Sequence, residues 1–176
     1  LMRKEWNKMQ AFHEINPQQI TENPFTLIGN DWMLITAQKP DGTFNTMTAS
    51  WGGVGIMWGK PVAICMIRPQ RYTFGFIESA PHFTLSFFDE TWRDALRLCG
   101  SKSGRDTDKV AQTGLTPVQQ NGMVWFEQAK LVLQCRQLYK NDLSETHFLD
   151  KTLLDTYQAG DYHRVYISSI EKVLCR

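Results

Sequence analysis

Two arginines, Arg68 and Arg71, stand in Arg68-Pro69-Gln70-Arg71-Tyr72-Thr73, directly after the apolar run Val62 to Ile67. Guanidinium groups fork onto carboxylate or phosphate oxygens. A helix predicted from Tyr72 to Ser79 would add unpaired N–H groups that attract anions, and Thr73 could cap it or donate to the same anion. Upstream, Asn45-Thr46-Met47-Thr48-Ala49-Ser50-Trp51 ends in small and hydroxyl residues beside an indole, which lets a flat ligand come close. Downstream, Cys99 to Asp106 is a donor-rich loop that carries Ser101 and Ser103, with Lys109 just beyond. Two readings of that loop stand side by side. Either Ser101, Ser103 and Lys109 close over the anionic end of a ligand held by Arg71, or Asp106, Asp108 and Lys109 pair locally in solvent. Arginine most often ends in a surface salt bridge, but two of them beside a helix start suit a phosphate better. The three stretches together describe a pocket for something flat at one end and anionic at the other.

Other chemistries lack their residues. The Gly-x-x-x-x-Gly-Lys-Ser/Thr of a nucleotide loop and the Gly-x-Gly-x-x-Gly of a dinucleotide fold are missing. His13-Glu14 has no second histidine at helical spacing, and Glu145 with His147 has no third ligand, so both read as structural. The four cysteines, Cys65, Cys99, Cys135 and Cys175, form no Cys-x-x-Cys pair and read as free thiols of a reducing cytoplasm. A net charge of +1 with scattered basic residues gives no field for nucleic acid. No stretch reaches the roughly 20 apolar residues of a membrane helix, and the first residues lack a signal-peptide core. The expectation is a soluble cytoplasmic protein with neither a nucleic-acid nor a membrane partner.

The elements that must position these groups are mostly strands. Trp32 to Gln38 and Thr43 to Trp51 flank Pro40-Asp41-Gly42 as a hairpin. Period two puts Thr48 and Ser50 on one face and Asn45, Met47, Ala49 and Trp51 on the other. Gly52, Gly53 and Gly55 predict a bulge or loop. Val62 to Ile67 is an unalternating run that suits a strand covered on both faces. Further strands are predicted at Phe83 to Phe88, Val124 to Glu127, Lys130 to Tyr139 and Val165 to Val173, with a helix at Glu90 to Leu98. Residues 1–24 form an N-terminal arm or short helix lying on the body. At 176 residues the chain fits one domain, 1–176. Its aromatic content, 12% with six tryptophans, serves a subunit interface as well as a stacked ligand.

Asn-x-Met-Thr-Ala-Ser-Trp followed by Arg-Pro-Gln-Arg-Tyr-Thr resembles the flavin reductase-like, FMN-binding split-barrel family, and most closely its flavoredoxin-type branch. Asp31 to Ala37, Phe83 to Phe88, Ser103 to Lys109 and Gly160-Asp161-Tyr162-His163 fall in the family's order, so the resemblance runs from about Asn23 to Leu174. It implies a mainly β, six-stranded split barrel with peripheral helices, and two subunits that share FMN at a groove. It also implies hydride transfer from NADH or NADPH to flavin N5, or else electron transfer from a redox protein partner without NAD(P)H activity of its own. The cofactor residues it implies are Asn45, Thr48, Ala49, Ser50, Trp51, Arg68, Arg71, Tyr72, Thr73, Ser101, Ser103 and Lys109. His163 falls at the family histidine near the nicotinamide path, while Ser168 replaces the small residue, usually glycine, that follows it.

Overall fold

The computed structural model describes residues 11–176. In chain order the strands are β1 (His13–Ile15), β2 (Met33–Gln38), β3 (Phe44–Ala49), β4 (Gly52–Met57), β5 (Lys60–Ile67), β6 (His82–Phe87), β7 (Pro117–Gln120), β8 (Met123–Phe126), β9 (Leu131–Asp142) and β10 (Arg164–Cys175). The helices are α1 (Pro24–Thr26), which runs into a π-helical turn at Leu27–Asp31, then α2 (Tyr72–Glu78), α3 (Arg93–Ser101) and α4 (Lys109–Thr113). All pairs are antiparallel, in the order β3-β2-β6-β9-β10-β5-β4, with β1 laid on β10 and β7-β8 as a separate hairpin.

β3 and β4 lie at opposite ends of that order, yet only Ser50 and Trp51 separate them in the chain. Three Cα–Cα steps reach at most about 11 Å, so the sheet must curl until its two ends meet at that corner. No ladder joins β3 to β4, and the result is a barrel split along one seam.

Period two decides which side each residue faces. Met33, Ile35 and Ala37 of β2, Phe83, Leu85 and Phe87 of β6, and Leu131, Leu133 and Cys135 of β9 share the interior cluster with Ala63, Cys65 and Ile67 of β5. Leu34 of β2 and Val132 of β9 point the other way, into a second cluster with Ala95, Leu96 and Cys99 of α3 and Trp125 and Phe126 of β8. β2 and β9 are therefore buried on both faces there, because α3 and the β7-β8 hairpin cover the outside of the barrel. Three buried threonine hydroxyls find partners on other strands: Thr36 and Thr46 meet at 2.9 Å, and Thr84 donates to the Val124 carbonyl at 2.5 Å.

Several predicted elements shift. Where the resemblance implies six strands, the sheet has eight. Gly52–Met57, expected as a bulge or loop, pairs with β5 from Gly52 opposite Cys65 to Met57 opposite Lys60. The tight turn at Trp58-Gly59, with φ of 51° and 67°, brings it back along β5 and outweighs the low strand propensity of its glycines. His13–Ile15 of the N-terminal arm is a strand as well, and residues 1–10 of that arm lie outside the described residues. The predicted helix at Glu90 to Leu98 opens as a 3-10 turn, Glu90–Trp92, and continues to Ser101, which consumes the start of the predicted donor loop.

Gly52 is where the corner is tightest. Its φ is +144°, and a Cβ built there would overlap the Ile64 carbonyl oxygen. Gly52→Ala is expected to cost about 2–4 kcal/mol, whereas Gly53→Ala, with no atom within 4 Å of its Cβ, should stay within about 1 kcal/mol. Urea denaturation of the two variants checks this, and equal losses would mean that the corner is not tight.

Candidate functional site

The barrel's open corner collects three chain segments. The end of β3 brings Thr48 and Ala49, the end of β5 brings Met66 and Arg68, and the start of β10 brings His163, because Ile67 pairs with Arg164. Between them lies a cavity of about 190 Å³ lined by Met47, Thr48, Ala49, Ser50, Trp51, Met66, Arg68, Arg71 and His163. A second cavity of about 180 Å³ shares Arg71 as a wall and is lined by Asn45, Gln70, Tyr72, Thr73, Lys109 and the Gly100 to Arg105 turn. Every cofactor residue implied above, and His163, lines one or the other. The first is the more apolar, with Trp51 tilted beside His163 at 5.1 Å between ring centres. The second is rich in donors.

The two arginines have different fates. Arg68 forms an ion pair with Asp161, donates to the Thr156 carbonyl at 3.2 Å and lies 5.2 Å above the Tyr157 ring. Gln70 joins it on Asp161 at 2.6 Å. Arg68 is thus a latch that holds segment 156–163 to the end of β5, and its charge is already answered. Arg71 is half-buried, and among the described residues its guanidinium has no acidic partner and no hydrogen bond. Burial, and then Arg68, push its pKa down. A half-buried, uncompensated guanidinium between two cavities is a standing demand for an anion.

Other implied residues take positions that their types alone did not fix. The Thr48 hydroxyl donates to the Leu96 carbonyl of α3 at 2.5 Å, so it braces the helix while the residue lines the first cavity. Thr73 is not the cap of α2; its hydroxyl accepts from Asn45 Nδ2 at 2.8 Å and ties β3 to that helix. Ser103 accepts the Arg105 backbone N–H at 3.2 Å, and Ser101 leans on the Leu98 carbonyl at 3.4 Å. Lys109 is buried, and its Nζ donates to the carbonyls of Thr46 at 2.6 Å and Cys99 at 3.0 Å. Burial brings its pKa down to about 8, with Cys99 opposing that and Arg71 reinforcing it. Neither reading of the donor loop covers this. Lys109 pairs with backbone carbonyls, and Asp108 caps its own helix through the Ala111 N–H at 3.0 Å.

Sequence reasoning passed over Gly104, Arg105 and Tyr157 as site residues. A Cβ at Gly104 would overlap Asn45 Oδ1, so only glycine lets this turn close on β3. Arg105 lies 4.9 Å over the Tyr72 ring and adds to the cations that line the donor-rich cavity. Ser-Gly-Arg was visible as a motif and could have flagged both. The Tyr157 hydroxyl meets Nδ1 of His163 at 2.7 Å, and no local spacing announced it.

The flavin reductase like domain family matches residues 26–175. The chain belongs to that family. Solved structures similar to it include an FMN-binding domain of a flavin reductases-like enzyme from Shewanella baltica, at 14% identity and TM-score 0.66 over 94% of this chain and 77% of that one. Flavoredoxin of Desulfovibrio vulgaris is similar at 19% identity and TM-score 0.64 over 92% and 75%. The styrene monooxygenase flavin reductase of Pseudomonas putida is similar at 13% and 0.60 over 81% and 77%. No curated protein matches. At these identities the likeness is one of fold. Among the described residues no helix is long and apolar enough to cross a membrane, and no cluster of His, Cys, Asp or Glu is placed to hold a metal.

The contrast between the arginines is testable without any ligand. Arg68→Ala removes the latch and is expected to lower the Tm of the apoprotein, while Arg71→Ala removes an unanswered charge and should leave it unchanged or slightly higher. Thermal melts at low salt decide, and a larger loss for Arg71→Ala would mean that its guanidinium has a structural partner.

Proposed function

We propose that this protein binds FMN in the paired cavities and acts as an FMN-dependent oxidoreductase of flavin reductase type, with NADH or NADPH as electron donor. The observation that carries this is Arg71, half-buried and without an acid among the described residues, standing between an aromatic-lined cavity and a donor-rich one. A ligand with a flat ring and a terminal phosphate fits that pair; free riboflavin would leave Arg71 unanswered. The residues present suit the group. Arg71 would pair with the phosphate, Arg105 would add charge, and Met47, Ala49 and Trp51 would exclude water from the ring end. When bound, FMN supplies the redox chemistry by accepting a hydride at its ring and passing electrons onward. His163 contributes as a neutral side chain, since burial and Arg68, against Asp161, bring its pKa down to about 4.

The assembly proposed is a homodimer. Phe25 (86% exposed) faces outward at an apolar cavity of about 450 Å³ that it lines with Pro24, Ile28, Trp51 and Val54, and Ile56 (65%) and Trp58 (58%) are exposed farther along β4 and its turn. A band of this kind beside a ligand site calls for cover, and a second copy would supply it. Light scattering after size exclusion is expected to give a dimer mass at micromolar concentration. A monomer that still holds FMN would show that one subunit completes the site.

Two measurements test the function. Anaerobic addition of NADH or NADPH to the FMN-loaded protein is expected to bleach its flavin absorption. Bleaching by dithionite but by neither nucleotide would leave FMN in place and point to a redox protein as donor, the flavoredoxin-type alternative. Arg71→Ala should lose a charge-assisted contact of about 1.5–3 kcal/mol, or roughly ten- to a hundredfold in FMN affinity, with riboflavin affinity nearly unchanged. Equal loss for both ligands would contradict a phosphate contact at Arg71.

A further inference from the structure

Tyr157 is the hub of an aromatic cluster behind the ring cavity, and only 6% of it is exposed. Its ring stacks on Tyr162 at 4.8 Å and 26°, meets Phe148 at 5.8 Å, and stands edge-on to His163 at 5.5 Å and 84°. The Arg68 guanidinium covers it at 5.2 Å. Held on these sides, the phenol has one hydrogen-bond partner among the described residues, His163 Nδ1 at 2.7 Å.

Two proton arrangements make that contact. If Nδ1 carried the proton, the phenol oxygen would accept it, and the phenol's own proton would be buried with nowhere to go. If the phenol donates, both groups are satisfied, and Nδ1 is the acceptor. An imidazolium would need an acceptor at both nitrogens. The charged groups around it offer none: Arg68 and Arg71 are cations, Asp161 is taken by Arg68 and Gln70, and the neighbouring Arg164 is turned to Asp142 and Glu78. Burial and Arg68 accordingly bring the His163 pKa down to about 4.

We propose that Tyr157 is a positioning residue that fixes His163 as the neutral Nε2–H tautomer, leaving one uncharged N–H donor at the cavity beside Trp51 for a ligand acceptor such as a carbonyl or carboxamide oxygen. The ligand's chemistry rests on the proposed function, but the tautomer does not. Because the folded pKa lies below that of an unfolded histidine, about 6.5, the unfolded chain binds more protons between about pH 4 and 6.5. Stability contributed by neutral His163 is therefore fully present above about pH 6.5 and is lost as pH falls through about 4.

Long-range 1H–15N correlation of the imidazoles in the ligand-free protein tests this directly, with His163→Gln used to assign the signal. Wild type is expected to show a pyridine-type Nδ1 and a pyrrole-type Nε2, unchanged from about pH 8 down to about pH 5. In Tyr157→Phe the two 15N shifts should converge as both tautomers populate, and the titration midpoint should move up. A protonated Nδ1 in wild type, or an unaltered pattern in Tyr157→Phe, overturns the proposal, and the wild-type result stands even if the variant does not fold. FMN titration of the wild type is read separately. Failure to bind would overturn the cofactor assignment and leave the tautomer intact.

Discussion

The link Ser50-Trp51 is the constraint on which the molecule depends. It joins strands from opposite ends of the sheet order, and so short a link forbids a flat sheet. Curling places β3, β5 and β10 ends around one corner. The same corner obliges Gly52 to take a φ that other residues avoid and to press against the Ile64 carbonyl. It also leaves the indole of Trp51 at the mouth, 49% exposed, beside His163. The cavity is a consequence of closure. Its residues lie at strand ends and in the links just beyond them, and Met47 is shared with the interior cluster.

Charge then divides the corner. Arg68 and Arg71 are close in sequence and both lie at the β5-α2 junction, yet Asp161 answers only one of them. Segment 156–163 matters for this reason. By engaging Arg68 it supplies the aromatic wall behind His163 and keeps an acid away from Arg71. On the other side of α2, Glu78 accepts from Tyr166 at 2.8 Å, Lys140 at 2.6 Å and Arg164 at 3.1 Å, so its negative charge is also spent locally. Among the described residues, Arg71 between the cavities keeps a half-buried charge with no acid to answer it.

Much of this was legible in the sequence, because period two and turn chemistry are local. β2 and β3, the run into β5, and α2 lie close to where alternation and turn residues put them. The residues of the two cavities were legible as motifs. Their tasks were not. A threonine's hydroxyl partner depends on what packs over its strand, so the placement of α3 decided Thr48 and the approach of Asn45 decided Thr73. β4 escaped because pairing with β5 overrides the weak strand propensity of Gly52, Gly53 and Gly55. Tyr157 escaped because its partnership with His163 is set by the fold of an irregular segment that has no period to read.

Lys109 shows how scaffold and site share one device. β3 is an edge strand, so some of its carbonyls face away from β2, and the last turn of α3 leaves carbonyls of its own unpaired. The ammonium answers one of each, Thr46 and Cys99, and it does so as the first residue of α4, pulling three elements together behind Asn45 and Gly104. Burial makes that charge costly, and the carbonyl dipoles offset part of the cost. An anion at Arg71 would offset more, since it would face both cations. The pocket wall is therefore held by a charge that an anion in the pocket would make less costly to bury, so structural order and anion affinity at this corner would reinforce each other.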